Sequence, residues 1–174
     1  MKFANNLKFG LIGERIVAEI MRARGWSVVQ IGGQHGEYQG PRIELPMGLT
    51  LVSPDLIIMK GSNILWVEVK HKTQFSFHQN SKTITTGIDY HHWKQYLEND
   101  TYGSFPMWLF FVHEMASVQG MPFGSGVAVP EAGVYGGPVR WLSQNYAHIH
   151  PNFGDHGGIF WDAAKLKHLP LPVK

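Results

Sequence analysis

The sequence "SPDLIIMKGSNILWVEVKHK" (53–72) consists of two short apolar runs on either side of a Gly-Ser-Asn segment (61–63). Apolar runs of this length, separated by turn residues, predict a β-hairpin. Each run nevertheless carries one carboxylate, Asp55 in the first and Glu68 in the second, and Lys70 follows two residues later. Charged side chains are rarely buried without a partner, so the placement of these three groups needs a physical reason.

The pairing of the two runs brings the charged groups together. With the turn centred just after Gly61, Asp55 lies directly opposite Glu68 on one face, with the two Cβ atoms about 5 Å apart. Lys70 shares that face because successive side chains of a strand alternate. A register shifted by one residue would separate Asp55 from Glu68 but leave Glu68 beside Lys70. The apolar side chains alternate onto the other face: Leu56, Ile58, Val67 and Val69.

Two opposed carboxylates in a sheet repel each other and lose solvation unless something neutralises them. A hard divalent cation does so: Mg²⁺ takes one or two carboxylates, keeps several waters and accepts phosphate oxygens. Such an ion polarises a phosphoryl group and lowers the pKa of a bound water. A neighbouring lysine can orient that water or offset charge in the transition state. The constellation predicts a phosphodiester-cleaving site; the structural alternative is a Glu–Lys pair on a solvated face.

A helix is predicted over 4–24 from the period of its apolar residues. Its charged stripe is narrow, which predicts a largely buried helix, and Glu14 falls on the apolar side. A carboxylate in that position either pairs with an Arg or Lys in the core or contributes to a metal site.

These motifs resemble the signature of the PD-(D/E)XK nuclease superfamily. Pro-Asp at 54–55 followed by Glu-Val-Lys at 68–70 is similar to its defining motif. The segment "GLIGERIVAEIMRARGW" (10–26) resembles the first helix of that superfamily, and "TTGIDYHHWKQYLE" (85–98) with the apolar run after it resembles the later helix and strand. The resemblance covers about residues 4–114. Within the superfamily it is most similar to the archaeal Holliday-junction resolvases and small phage-type nucleases.

The resemblance implies an α/β fold with a mixed central β-sheet flanked by helices, the restriction-endonuclease-like core. It also implies that Asp55, Glu68 and the Val69 carbonyl hold Mg²⁺ or Mn²⁺. Glu14 would support the metal, and Lys70 would position or help activate the attacking water.

On the second predicted helix, the resemblance implies a polar residue that faces the active site, either Gln95 or His92. The expected activity is hydrolysis of phosphodiester bonds in DNA, with branched or junction DNA as a candidate substrate. A homodimer is consistent with this expectation, because junction-cutting relatives need two active sites.

The remaining segments with clear patterns extend this organisation. Strands are predicted at 26–31, 54–59, 64–70 and 105–114, and a second helix at 87–100. The order of helix, strands, helix and strand predicts an α/β sandwich with a mixed sheet.

Other segments give weaker patterns. Residues 32–52 are predicted to form a long loop with a small hairpin, and 71–86 show no strong period. A strand is predicted at 138–142 and a short helix at 161–169, after Gly- and Pro-rich loops at 115–139.

The composition sets broad limits. The 174 residues predict one domain, with the core at about 4–114 and loops and short elements over 115–174. Lys and Arg number 15 and Asp and Glu 13, and this net charge of +2 permits a nucleic-acid partner without arguing for one. The absence of cysteine excludes disulfides, zinc–thiolate sites and thiol catalysis, which is consistent with a cytoplasmic location. No run approaches the ~18 apolar residues of a membrane span, so no membrane partner is expected.

Contacts to DNA are predicted where basic and aromatic residues interleave, because this combination suits phosphate contact and base stacking. The candidates are Lys70, His71, Lys72, Lys82 and Lys94, with Phe75, Phe77 and Trp93.

Three alternatives stay open at this point. The chain could be a catalytically inactive relative that binds nucleic acid or packs in an assembly. It could instead bind a small molecule or carbohydrate through the Gly-rich 115–160 region, in a pocket remote from Asp55. A metal site formed by His148, His150 and His156 is a weaker possibility, because their spacing fixes no further ligand.

Overall fold

The computed structural model describes residues 2–31, 41–46, 48–151 and 154–171. The helices are α1 (Lys2–Ala23), α2 (Tyr90–Tyr102) and α3 (Val139–Leu142), with a 3-10 turn at Ala163–Lys165. The strands are β1 (Ser27–Gln30), β2 (Arg42–Glu44), β3 (Thr50–Val52), β4 (Leu56–Lys60), β5 (Asn63–Lys72), β6 (Phe75–His78), β7 (Thr83–Asp89), β8 (Met107–His113), β9 (Val118–Gln119), β10 (Gly133–Pro138), β11 (His148–His150), β12 (Gly158–Asp162) and β13 (Lys167–Pro170). Across these ranges no helix is long and apolar enough to cross a membrane.

A mixed sheet of six strands forms the centre of the fold, in the order β1-β4-β5-β8-β10-β13. Strands β5 and β8 run parallel, while the other neighbouring pairs are antiparallel. Parallel neighbours require a crossover connection, which here passes through β6, β7 and α2. Helices flank this sheet, which confirms the predicted α/β class with a mixed central sheet.

The two faces of the central sheet bury different partners. On one face, α1 packs against apolar side chains of β4, β5 and β8. This layer includes Val17, Ile20, Met21, Leu56, Ile58, Val67, Val69 and Phe110. On the other face, a second core lies between the sheet, α2, α3 and a smaller sheet. Its large side chains include Trp66, Trp93, Phe111, Leu142 and Trp161.

Strands β4 and β5 form the predicted hairpin in the predicted register, in which Leu56 pairs with Val67 and Lys60 pairs with Asn63. Continuing this register by one residue places Asp55 opposite Glu68. Since Val67 packs on the α1 side, Glu68 projects from the opposite face, towards α2. The hairpin therefore has an apolar face that anchors it and a charged face that is available for chemistry.

The second sheet, in the order β11-β12-β7-β6-β9, was missed by the sequence prediction over 71–86. Strand β7 contains threonines that look polar in the sequence but are buried in the fold. The hydroxyl of Thr85 donates to the carbonyl of Ser76, and the hydroxyl of Thr86 bonds the buried ring of His113. These hydrogen bonds satisfy the polar atoms, so a strand without a hydrophobic period can still be buried.

Several predicted boundaries are corrected by strand pairing. The helix predicted at 87–100 begins at Tyr90, because residues 87–89 end β7 and pair with β12. The strand predicted at 138–142 is the short helix α3. The helix predicted at 161–169 is the end of β12, a 3-10 turn and β13, which pairs with β10. The hairpin expected within 32–52 is β2–β3, while 32–40 and 47 lie outside the described residues.

The close approach of α1 to β5 can be tested with one substitution at two positions. A Cβ at Gly13 would lie 2.9 Å from Cβ of His71, whereas a Cβ at Gly10 would have nothing within 4 Å. Gly13→Ala should therefore lower the free energy of unfolding by about 1–3 kcal/mol through overpacking. Gly10→Ala should raise it by about 0.5–1 kcal/mol through helix propensity. Urea denaturation measures both, and equal effects at the two positions would contradict this packing.

Candidate active site

Asp55 is fixed against β5 by a hydrogen bond from the main chain. The N–H of Val69 donates to Oδ2 of Asp55 at 2.7 Å, and the carbonyl of Asp55 accepts from the N–H of Ile31 at 2.9 Å. The first bond ties the carboxylate to the strand that carries Glu68, and the second ties its backbone to the end of β1. The half-buried carboxylate is therefore held in one place just before β4.

The same hydrogen bond bears on the predicted role of the Val69 carbonyl. In a strand, the N–H and C=O of one residue point to the same side. The N–H of Val69 points to Asp55, the residue just before β4, so the carbonyl of Val69 points to the same side of β5. This orientation supports a metal-ligand role for the carbonyl, which stays a prediction.

Glu68 is buried and accepts two hydrogen bonds on the same oxygen. Nζ of Lys70 donates to Oε1 at 2.9 Å, and the hydroxyl of Tyr96 donates to it at 2.7 Å. The ammonium of Lys70 also lies over the Tyr96 ring, 5.5 Å from its centroid. These contacts join Glu68 and Lys70 on β5 to Tyr96 on α2 as one unit.

Lys70 remains a cation in this environment. Burial alone would lower the pKa of its ammonium, but Glu68, Tyr96 and Asp55 together hold that pKa well above its usual value. Its side chain is still 28% exposed, so a substrate could reach it. A protonated lysine suits stabilisation of negative charge.

Glu14 brings a third carboxylate to the same region from α1. It is only 8% exposed, and its Oε2 is buried without a hydrogen-bond partner. Burial, and then repulsion from Glu68, raise its pKa to about 6, with Lys70 acting in the opposite direction. Burial and repulsion from Glu68 likewise raise the pKa of Asp55 well above its usual value, and Glu14 adds to that repulsion.

The donor set fits a hard divalent cation. Three carboxylates share the site with one ammonium group, so negative charge is in excess when all of them ionise. The hydrogen bonds described above use Oδ2 of Asp55 and Oε1 of Glu68; the other oxygens, Oδ1 and Oε2, take part in none of them. Together with the unpartnered Oε2 of Glu14, these are the hard oxygen ligands that Mg²⁺ or Mn²⁺ prefers.

Helix α2 contributes a residue that the sequence analysis missed. Tyr96 contacts Glu68, whereas the predicted Gln95 lines a small pocket of about 180 Å³ beside β3, with Val52 among its neighbours. His92, the other candidate, lies one helical turn before Tyr96. Burial, and then the charge of Lys70, lower its pKa to about 4. A role for Gln95 stays a prediction, and the helical period of four from His92 was the signal that could have identified Tyr96.

The predicted stacking surface for bases is wrong. Phe75, Phe77 and Trp93 all lie in the core, because they point inwards from the second sheet and from α2. Among the predicted basic contacts, Lys72 is half-buried, and burial followed by repulsion from Lys70 lowers its pKa to about 8. Lys94 is exposed on α2, with its ammonium 5.3 Å from the ring centroid of Tyr90.

The predicted histidine site is also corrected. Residues 148–150 do form a strand, but His148 stacks on His78 and Phe160, with ring centroids 3.7 and 4.8 Å away. His156 instead packs against the ring of His91. In the ranges described above, the one His-containing group with metal-ligand spacing includes none of the three predicted residues.

A separate cavity of about 480 Å³ lies between the second sheet and the loop at 127–131. Its walls include Lys82, Ile84, Tyr135 and His168, and none of the four groups of the carboxylate site. Lys82, proposed above as a DNA contact, is therefore part of a different surface feature.

Comparison with known proteins adds little about function. No family model matches the chain, and no curated protein matches it. Among solved structures, a Holliday junction resolvase from Archaeoglobus fulgidus is similar over 89% of both chains, with 12% sequence identity and a TM-score of 0.48. A similarity at this level does not indicate a function.

Glu14 should make the stability of the metal-free protein depend on pH. Its pKa rises from 4.5 to about 6 on folding, so the folded state is penalised as pH rises through that window. The penalty approaches about 2 kcal/mol at pH 8. Glu14→Gln should therefore stabilise the protein by about 1–2 kcal/mol at pH 8 and have little effect at about pH 4, by urea denaturation in a chelator.

Glu19→Gln, on an exposed position of the same helix, is the matched control and should change little at either pH. A Glu14→Gln effect of equal size at the two pH values would contradict a buried, repelled carboxylate.

Proposed function

We propose that this protein is a metal-dependent nuclease that hydrolyses phosphodiester bonds in DNA. The observation that carries the proposal is the convergence of Glu14, Asp55 and Glu68 in one small, largely buried region, where Lys70 forms an ion pair with Glu68. A chain selected for stability alone has no reason to place three carboxylates together away from water.

The carboxylates would hold Mg²⁺ or Mn²⁺, with Asp55 and Glu68 as direct ligands. The Val69 carbonyl would be a further ligand of the ion, and Glu14 would support the metal site. When bound, the ion would polarise the phosphoryl group and lower the pKa of an attached water.

Lys70 would offset the negative charge that develops on the phosphoryl oxygens, because its ammonium lies beside the carboxylates and is partly exposed. Tyr96 is a positioning residue: its hydroxyl bonds Glu68, and its ring lies beneath the lysine ammonium. Holding the lysine within reach of the carboxylates keeps the charge in place before the substrate arrives.

Branched or junction DNA is the substrate class we propose, on the resemblance of the 54–55 and 68–70 motifs to junction-cutting nucleases. Cleavage of a junction on two strands needs two active sites, so the proposal includes a homodimer. A cytoplasmic location accords with the absence of cysteine.

The test is a cleavage assay on duplex, single-stranded, flap and four-way-junction DNA with Mg²⁺ or Mn²⁺. Wild-type protein should cut at least one substrate, and a chelator should abolish cutting. Asp55→Ala and Lys70→Ala should each lower the rate by at least about 10²-fold, the effect of removing one electrostatic group from an active site. Lys165→Ala, an exposed lysine on the distant 3-10 turn, should leave the rate unchanged.

If wild type cuts none of these substrates with either ion, the nuclease proposal fails. DNA binding that survives in that case would support the alternative of a catalytically inactive nucleic-acid-binding protein.

The 480 Å³ cavity favours a second candidate function, the binding of a small and mostly apolar molecule. Its volume is that of an ordinary ligand pocket, and Ile84, Val127 and Leu166 contribute to its walls. Fragments that bind there should raise the melting temperature of wild type and Asp55→Ala alike but not of Ala128→Trp, which would fill the cavity. A fragment screen without such hits would remove this candidate.

A further inference from the structure

A second group of metal-ligating side chains lies where β7 ends and α2 begins. One ligand atom from each of Asp89, His91 and His92 falls within 4.8 Å of the other two, and all three residues are half-buried. Ligand atoms around one Zn²⁺ ion, at bonds of about 2 Å, lie about 3–4 Å apart. Small side-chain rotations would therefore bring the three groups onto a single ion.

Helix capping does not explain the positions of Asp89 and His91 at the start of α2. Asp89 occupies the N-cap position of α2, yet its carboxylate makes no capping hydrogen bond. Nδ1 of His91 is buried and has no hydrogen-bond partner. The Asp89 carboxylate therefore lacks the capping hydrogen bond that is usual at this position, and the buried Nδ1 of His91 lacks any partner. Both observations indicate a ligand between the two side chains.

A fourth side chain, His156, approaches this group from the loop before β12 through the ring of His91. The N–H of Tyr90 donates to the carbonyl of Gly157 at 3.0 Å, which fastens that loop to the first turn of α2. The ring of His156 then lies against the ring of His91, with centroids 4.6 Å apart at 60°. The fold therefore brings a third imidazole to the group from another part of the chain.

We propose that Asp89, His91 and His92, with His156, bind a transition-metal ion of the Zn²⁺ class. The donor chemistry selects the ion: imidazole suits Zn²⁺, Co²⁺ and Ni²⁺, whereas Mg²⁺ needs oxygen ligands, of which this group offers one carboxylate. The site is distinct from the carboxylate centre, in which the donors are oxygens. Its occupation does not depend on nuclease activity.

The surroundings explain why the group includes a carboxylate. The N-terminus of α2 carries partial positive charge, and Lys70 acts electrostatically on His92. A bare cation would be repelled there, and Asp89 offsets that repulsion. Because His92 lies one turn before Tyr96, the ion would sit beside the carboxylate centre and fasten the loop at 154–157 to α2.

Isothermal titration of the tag-free full chain with Zn²⁺, in excess Mg²⁺, tests the proposal. We expect one Zn²⁺ per chain and a higher melting temperature in its presence. His91→Ala, His92→Ala and Asp89→Asn should each weaken Zn²⁺ binding by at least about 100-fold, since loss of an outer partner alone weakens binding about 10–100-fold. His156→Ala should also weaken binding.

Two variants serve as matched controls. His150→Ala removes an exposed imidazole outside the group, and Lys165→Ala removes an exposed charge on the 3-10 turn; both should leave this Zn²⁺ binding unchanged. If wild type binds no Zn²⁺ under these conditions, or if the Asp89, His91 and His92 variants bind it as tightly as wild type, the proposal is wrong. Unchanged binding in His156→Ala would remove His156 from the site. Melting curves of each variant without metal show whether it is folded.

Discussion

The hydrogen bond from the Val69 N–H to the Asp55 carboxylate is the contact on which the site depends. It holds the Asp55 carboxylate against β5, the strand that carries Glu68, although two neighbouring carboxylates repel each other. Lys70 and the hydroxyl of Tyr96 offset part of this repulsion, because both donate hydrogen bonds to Glu68. Glu14, buried with an unpartnered oxygen, adds negative charge that the protein's own groups leave unbalanced. The divalent cation proposed above would balance this charge.

Strand β5 combines structural and chemical roles by side-chain alternation. Val67 and Val69 pack against α1, while Glu68 and Lys70 face α2. The parallel pairing with β8 places β5 inside the sheet, so its backbone is fixed on both sides. Glu68 and Lys70 therefore lie on a strand whose backbone is hydrogen-bonded to a neighbouring strand on each side. Such a strand suits a site that must be organised before its substrate binds.

The sequence was sufficient for the hairpin, because a short turn and strand parity together determine which side chains share a face. It was insufficient for the second sheet, because Thr85 and Thr86 are buried through hydrogen bonds that no hydrophobic period reveals. That omission led to the wrong placement of Phe75 and Phe77 as base-stacking residues. Tyr96 was missed although it lies one helical turn after His92, because its contact with Glu68 depends on how α2 packs against the sheet.

We propose above that the carboxylates of Asp55 and Glu68 form a site for a divalent ion. The most direct measurement is an anomalous difference map from crystals of the wild-type protein soaked in Mn²⁺. We expect a peak between Asp55 and Glu68, on the side where Glu14 approaches, and no such peak in Asp55→Ala crystals. A well-ordered site with no peak, in which the carboxylates bond one another through a shared proton, would contradict it.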